Sequence, residues 1–277
     1  MQFAFLNGRA LEPFEMDVPF EGNRGILYGD GVFETIRVAK GKPLFFDDHH
    51  KRLIEGCRLL RLNLPDGCQK EALKKLIETT ITTDSRVRLT VWRQCGGFYT
   101  PESNDSSWLL TFSELAAADG YQAQEASLTV YTDNKKSVGW LSNLKTLNGL
   151  IYVISAQFAR SKGADESLIL NSRGHVIEST SSNIFVLIGN TWHTPPLAEG
   201  CLDGVLRKNL LKLLTDAGIP AIEKELSLTD VMNADEILLT NVIKGIRQVK
   251  DIEGKKFEGR SAYRFTELLN KAVAIKF

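Results

Sequence analysis

The stretch from Ser142 to Phe185 constrains this chain most. Leu150, Val153, Ile154, Gln157 and Phe158 recur at helical spacing and predict a helix over 146–162. Short apolar runs at 167–170, 175–178 and 183–188 then predict strands, the last closed by a turn at Gly189-Asn190. A helix followed by short, turn-bounded strands makes mixed helix and sheet the expected class.

The rest of the chain agrees. Phe33 to Val38 and Pro43 to Phe46 flank Ala39-Lys40-Gly41-Lys42 and predict a hairpin, after which Asp47 and Asp48 suit a helix start. Leu53, Cys57, Leu60 and Leu64, then Leu73, Leu76, Ile77, Thr80 and Ile81, predict a helical pair broken at Pro65-Asp66-Gly67. Arg86 to Arg93 and Trp108 to Phe112 read as strands around the loop Cys95-Gly96-Gly97. Beyond Leu128 to Tyr131, a helix opened by Asp203-Gly204-Val205, strands near Ala221 and over Glu236 to Thr240, and a closing helix from Ser261 to Ala274 complete an α+β pattern. With 277 residues and 43% apolar side chains, the chain can build two domains or one large α/β unit. The aperiodic segment Leu115 to Tyr121 places a boundary between a domain over 1–120 and another over 121–277.

Lys plus Arg equals Asp plus Glu at 34 each, without a basic block, so no nucleic-acid or anionic-membrane footprint is expected and the partner is a small molecule. The start Met1-Gln2-Phe3-Ala4-Phe5-Leu6 lacks a leader pattern and no apolar run is long enough to span a bilayer, which predicts a cytoplasmic protein. Cys57, Cys68, Cys95 and Cys201 form no CxxC pair or zinc spacing and read as free thiols. His49 and His50 are adjacent and point to different sides of a helix, so no metal site is expected.

The chemistry concentrates in four places. Lys145 stands at the mouth of the 146–162 helix, its amine projecting into a cleft. Glu178 ends a short strand before Ser179-Thr180-Ser181-Ser182, small hydroxyl residues that would pack against a flat cofactor. A lysine amine and a carboxylate suit pyridoxal phosphate, the first holding its aldehyde and the second its ring nitrogen. Arg52 offers a bidentate, permanently charged group for a phosphate, and Gly204 opens a helix whose first N–H groups favour an anion. Arg88 and Arg93 are candidates for a substrate carboxylate. Strand alternation puts them on opposite faces, Arg93 beside Val87, Leu89 and Val91, where it meets a bound anion or pairs with a local acid such as Glu102.

Together with Leu6-Asn7-Gly8, the run Arg24 to Arg37, His49-His50-Lys51-Arg52-Leu53 and Ala234-Asp235-Glu236, these segments resemble the class IV aminotransferase family over nearly the whole chain. The family comprises fold-type IV pyridoxal-phosphate enzymes. The resemblance implies a two-domain, D-amino acid aminotransferase-like fold: a smaller N-terminal α/β domain, a larger C-terminal domain with a barrel-like sheet, and pyridoxal 5′-phosphate in the cleft between them. By the same match Lys145 is the Schiff-base lysine and proton shuttle, Glu178 the ring-nitrogen partner, and Arg52 the phosphate arginine. Gly204, Val205, Leu206, Asn241 and Val242 bind the cofactor, Tyr28 and Thr35 border the substrate cavity, and the enzyme is a homodimer. Branched-chain members resembling this pattern carry a tyrosine where this chain has Leu150, a threonine at Leu206 and Gly-Thr-Ala at Thr240-Asn241-Val242. D-amino acid members carry an arginine and histidine where it reads Gly96-Gly97-Phe98-Tyr99. The departures look most like 4-amino-4-deoxychorismate lyases, with an aminotransferase as the alternative.

Overall fold

The computed structural model describes residues 3–11, 22–116 and 118–274, so Met1, Gln2 and Ala117, which entered the expectations above, lie outside the described residues. The chain falls into two compact units, Met1–Asp119 with Leu144–Asn148, and Gly120–Asn143 with Gly149–Phe277.

The first unit contains β1 (Phe3–Leu6), β2 (Arg9–Leu11), α1 (Arg24–Tyr28), β3 (Gly31–Ala39), β4 (Lys42–Pro43), α2 (Phe46–Leu59), α3 (Lys70–Thr80), β5 (Ser85–Arg93) and β6 (Ser106–Glu114). Its strands form one antiparallel sheet in the order β2-β1-β6-β5-β3-β4. Alternation sends Val32, Ile36 and Val38, then Val87, Leu89 and Val91, then Trp108, Leu110 and Phe112 to one face. Leu53 and Cys57 of α2 and Leu73 and Ile77 of α3 pack on that face. The residues between these on β3 and β5 therefore look the other way, and Phe33, Thr35 and Arg88 are among them, with Thr35 and Arg88 directly opposite in register. The hairpin turns at Lys40-Gly41, both at positive φ. The strand expected over Pro43 to Phe46 stops at Pro43. The Leu44 N–H bonds back to the Arg37 carbonyl, and Phe45, at φ 52°, swings the chain into α2, whose first turn holds Asp47 and Asp48 at the positive end of the helix.

The second unit contains β7 (Gln124–Lys136), α4 (Leu150–Ser161), β8 (Glu166–Asn171), β9 (Val176–Ser179), β10 (Asn183–Ile188), β11 (Thr191–Thr194), α5 (Val205–Asp216), β12 (Ala221–Glu223), α6 (Leu228–Met232), β13 (Glu236–Asn241), β14 (Gly245–Ile252), β15 (Lys255–Lys256) and α7 (Ser261–Ala274). A mixed sheet runs β12-β11-β10-β13-β14-β7-β8-β9, with β15 on β14, and curls as a half-barrel. Residues of β8 and β9 are buried throughout, the apolar Leu168, Ile169, Leu170, Val176 and Ile177 beside buried Glu166, Asn171 and Glu178, which must find partners within the protein. The strand over Gly245–Ile252 carries no alternation visible in the sequence, because it is buried on both faces and two adjacent buried positions are polar: Arg247 pairs with Glu166, and Gln248 donates to the Ile237 carbonyl. The helix expected from residue 146 begins at Leu150. The polar backbone groups that would start it earlier are taken by β3: Phe33 N–H donates to the Lys145 carbonyl and Leu147 N–H to the Gly31 carbonyl, both at 2.9 Å. All four cysteines are free thiols, with only Cys95 exposed.

Candidate active site

In the first unit, residues 145–147 lie along the start of β3, with Thr146 bridged to Val32. A Cβ on Gly31 would come within 2.3 Å of the Val91 carbonyl oxygen and 2.9 Å of Leu147, so only glycine lets this segment close on the strand. Lys145 Nζ stands 4.4 Å from the centre of the Phe33 ring, and the Arg88 guanidinium carbon lies 3.9 Å from the centre of the same ring. Burial, and then the neighbouring Arg86 charge, lower the Arg88 pKa. The Arg88 guanidinium has no hydrogen-bond partner among the described residues and shares the Phe33 ring with the Lys145 amine.

Arg93 is the opposite case. All five of its N–H groups are used: Nε and Nη2 on Asp30 at 2.9 and 3.3 Å, Nη2 also on the Leu60 carbonyl, and Nη1 on the Arg61 carbonyl and Asn104 Oδ1. The local acid is Asp30 rather than the expected Glu102, whose carboxylate caps the Gly97 N–H instead. Of the two candidate arginines, Arg93 has its donors filled by the protein, whereas the Arg88 guanidinium has no hydrogen-bond acceptor among the described residues. Tyr28 packs on the Tyr99 ring at 5.6 Å and under the Arg24 guanidinium at 4.7 Å, while Arg24 also holds the carbonyls of Gly96, Gly97 and Phe98.

Arg52 forks onto Glu34, Nε to Oε1 at 2.8 Å and Nη2 to Oε2 at 2.6 Å, and His49 Nδ1 lies 2.7 Å from the same Oε2. Burial alone would raise the Glu34 pKa, but the Arg52 charge and the hydrogen bonds from Arg52 and His49 outweigh it and hold it at about 2. Burial lowers the His49 pKa against the pull of Glu34, so the imidazole is neutral with Nδ1 donating.

In the second unit, Glu178 is buried on β9. Its Oε1 accepts from Lys136 Nζ at 2.6 Å and Tyr152 Oη at 2.9 Å, and its Oε2 accepts from the Leu202 N–H at 2.9 Å. An ionised carboxylate offers about four acceptor directions. Three are taken by these donors, and no donor among the described residues takes the fourth, on Oε2. Past Leu202, Gly204 opens α5 without a side-chain cap, so the N–H groups of Val205 and Leu206 point out of the helix start toward any anion there. A Cβ on Gly204 would sit 1.8 Å from Asn183 Oδ1, and Asn183 Nδ2 holds the Leu202 carbonyl, so glycine is required where this loop meets β10.

The hydroxyl run after Glu178 is not free to face a ligand as expected. Ser179, Ser181 and Ser182 turn their hydroxyls onto buried Glu166, and Thr180 bonds Ser167, because Glu166 needs that many donors to stay charged away from water. Asn241 is likewise engaged, its amide donating to the Ser181 carbonyl and its oxygen accepting from the N–H groups of Ile243 and Lys244. The Val242 carbonyl accepts from Tyr121.

The model for amino-transferase class IV matches residues 31–252. The chain belongs to the class IV aminotransferase family. It is 28% identical over 275 residues to a putative branched-chain-amino-acid aminotransferase of Methanocaldococcus jannaschii, covering 96% of this chain and 93% of that protein. It is 29% identical to a D-alanine aminotransferase of Bacillus licheniformis over 90% of this chain and 88% of the other. The crystal structure of 4-amino-4-deoxychorismate lyase from Pseudomonas aeruginosa superposes with a TM-score of 0.81 at 26% identity, over 97% of this chain and 98% of that one. The fold is fold-type IV. A class IV aminotransferase is a pyridoxal 5′-phosphate enzyme, and the residues present fit that group: an open acceptor on Glu178 for a ring N–H, and an uncapped helix start for a phosphate. Sequence reasoning missed Lys136, Tyr152 and Glu34, the side chains that hold Glu178 and Arg52 in place. Only Tyr152 left a trace, as a phenol two residues past the position where branched-chain members carry theirs.

Proposed function

We propose that this class IV enzyme is a 4-amino-4-deoxychorismate lyase, which forms 4-aminobenzoate and pyruvate for folate biosynthesis. The observation that carries the reading is the loop after β5. It presents no cation, its carbonyls at Gly96, Gly97 and Phe98 are bound by Arg24, and the arginine and histidine of D-amino acid members are absent from it. Leu150 and Leu206, which supply no hydroxyl where branched-chain members have one, support the same choice.

Pyridoxal phosphate, when bound, supplies an electron sink conjugated to the substrate amine. Lys145 Nζ takes the proton from the ring carbon bearing that amine, the carbon–oxygen bond to the enolpyruvyl group breaks as the ring becomes aromatic, and Lys145 returns a proton to the methylene carbon of the departing pyruvate. Glu178 would accept the ring N–H, Arg52 and the N–H groups of Val205 and Leu206, at the helix start opened by Gly204, would hold the phosphate, and Arg88 would take a substrate carboxylate. Thr35, opposite Arg88, lines the same face, and Tyr28 would border the substrate cavity. Asn241 and Val242 act through the turn they form.

The second reading is an aminotransferase for branched-chain or D-amino acids with 2-oxoglutarate. It is supported by relatives of both kinds that match at least nine-tenths of this chain. Exposed Trp140, Leu141, Leu150, Val153 and Ile154 support a homodimer, since a second copy would cover them. Among the described residues no helix is long and apolar enough to cross a membrane, and the free thiols suit a reducing cytoplasm.

The test supplies enzymatically generated aminodeoxychorismate to the holoenzyme, beside a panel of amino acids with 2-oxoglutarate. Equal amounts of 4-aminobenzoate and pyruvate without a keto acid support the lyase. Turnover confined to the panel overturns it in favour of the aminotransferase.

A further inference from the structure

A buried lysine with no assigned role stands beside Glu178. Lys136 ends β7, and its Nζ donates to Glu178 Oε1 at 2.6 Å and to Tyr152 Oη at 2.7 Å. Tyr152 in turn donates to the same Oε1 at 2.9 Å, which closes a triangle of three polar groups. The Lys136 side chain is 11% exposed and that of Glu178 3%, so little water screens the pair.

We propose that Lys136 is a positioning residue that tunes the cofactor ring: it fills Oε1, leaves Oε2 as the acceptor for the ring nitrogen, and offsets part of the negative charge with which Glu178 holds the proton there. The proposal rests on the assignment of Glu178 to the ring nitrogen. Two donors on Oε1 use the directions available at that atom, and Leu202 N–H fixes Oε2 from one side, so the carboxylate can rotate neither oxygen away without breaking a bond.

The other titratable groups around the triangle are neutral or offset one another. Burial, and then the charge of Glu178, push the Tyr152 hydroxyl well above its ordinary pKa, which keeps it a neutral donor. Burial pushes the Cys201 thiol up to about 12, so it is neutral as well. Arg207 and Asp203, the remaining charges felt at Cys201, oppose each other in sign. Among the described residues, Lys136 is the one cation bonded to Glu178.

Removing the ammonium has two effects of the same sign. It deletes a cation near the ring, and it leaves Glu178 more negative. Both favour the protonated cofactor, so the pH at which the bound cofactor changes its visible spectrum rises.

The experiment loads wild type, Lys136→Met and Lys136→Arg with cofactor labelled by 15N in the ring. Each is titrated with pH, following visible absorbance and the 15N shift. Lys136→Met moves the midpoint up by about one pH unit or more, and Lys136→Arg returns it to near the wild-type value. A folded, loaded Lys136→Met with an unmoved midpoint would overturn the proposal, since a lysine that only neutralises a buried acid has no hold on the ring. If Lys136→Met does not fold, Tyr152→Phe takes its place: it strips one donor from the same Oε1 and gives a smaller upward shift, and no shift there overturns the proposal equally. Glu178→Gln separates this failure from failure of the assignment beneath it. An unchanged 15N shift in Glu178→Gln removes Glu178 from the ring nitrogen. A changed shift there, with Lys136→Met inert, removes only the tuning role.

Discussion

Glu166 and Glu178 stand on the paired strands β8 and β9, both nearly inaccessible, yet they are built for different purposes. Glu166 is saturated. Its Oε1 meets Arg247, Ser181, Ser182 and Lys244, and its Oε2 accepts from the Ser179 hydroxyl and the Ser181 N–H. Glu178 keeps one acceptor direction open. The same contrast divides β5, where Arg93 spends every donor on Asp30, Asn104 and backbone carbonyls while Arg88 lies on the Phe33 ring with no hydrogen-bond partner among the described residues. A buried charge with a complete set of partners holds the fold together. One left a partner short is available to a ligand, and an unfilled site costs stability that binding recovers.

Breaking the closed side gives the largest effect. Glu166→Gln leaves Arg247 buried without its counter-charge and unpins the 179–182 turn, which should cost about 3–5 kcal/mol, read by urea unfolding. A variant as stable as wild type would show that Glu166 is not structural. Glu34 sharpens the contrast through pH. Its folded pKa of about 2 lies below the ordinary 4.5, so the stability it contributes is present above pH 4.5 and is lost as pH falls toward 2. The loss is on the order of 3 kcal/mol. Unfolding curves across that window should slope steeply in wild type and less so in Glu34→Gln, and parallel slopes would contradict the pairing.

On the open side the effects move from stability to chemistry. Glu178→Gln also strips buried Lys136 of its counter-charge and so lowers stability, but unlike Glu166→Gln it should lower kcat of the folded, loaded enzyme by about 10²-fold, because a neutral amide would hold the ring proton poorly. Arg88→Gln should raise KM about tenfold or more with kcat less affected, whereas Arg93→Gln should lower Tm first. If Arg93→Gln instead keeps its Tm and raises KM, the division of β5 into a structural and a binding arginine is wrong.

Much of this was legible in the sequence. The strands over 167–170, 175–178 and 183–188 and the closing helix from Ser261 to Ala274 stand where their patterns put them, because continuous apolar runs and 3.6-residue spacing survive burial unchanged. Lys145 was legible as a motif but not in its setting. The helix after it starts at Leu150 because distant β3 claims the backbone groups of residues 145–147, a competition no local pattern records. Polar pairings were hidden for the same reason. Asp30 lies 63 positions from Arg93, Lys136 lies 42 from Glu178, and Arg247 lies 81 from Glu166, so only the sheets bring them together. The serines after Glu178 misled because a hydroxyl run reads alike whether it faces a ligand or a buried acid.

Two lysines have different proposed duties, Lys145 as the covalent residue and Lys136, bonded to Glu178, as its positioning partner. Reducing the holoenzyme with borohydride and locating the phosphopyridoxyl group by peptide mass spectrometry separates them directly. The account predicts the adduct on Lys145 alone, and an adduct on Lys136 would contradict it.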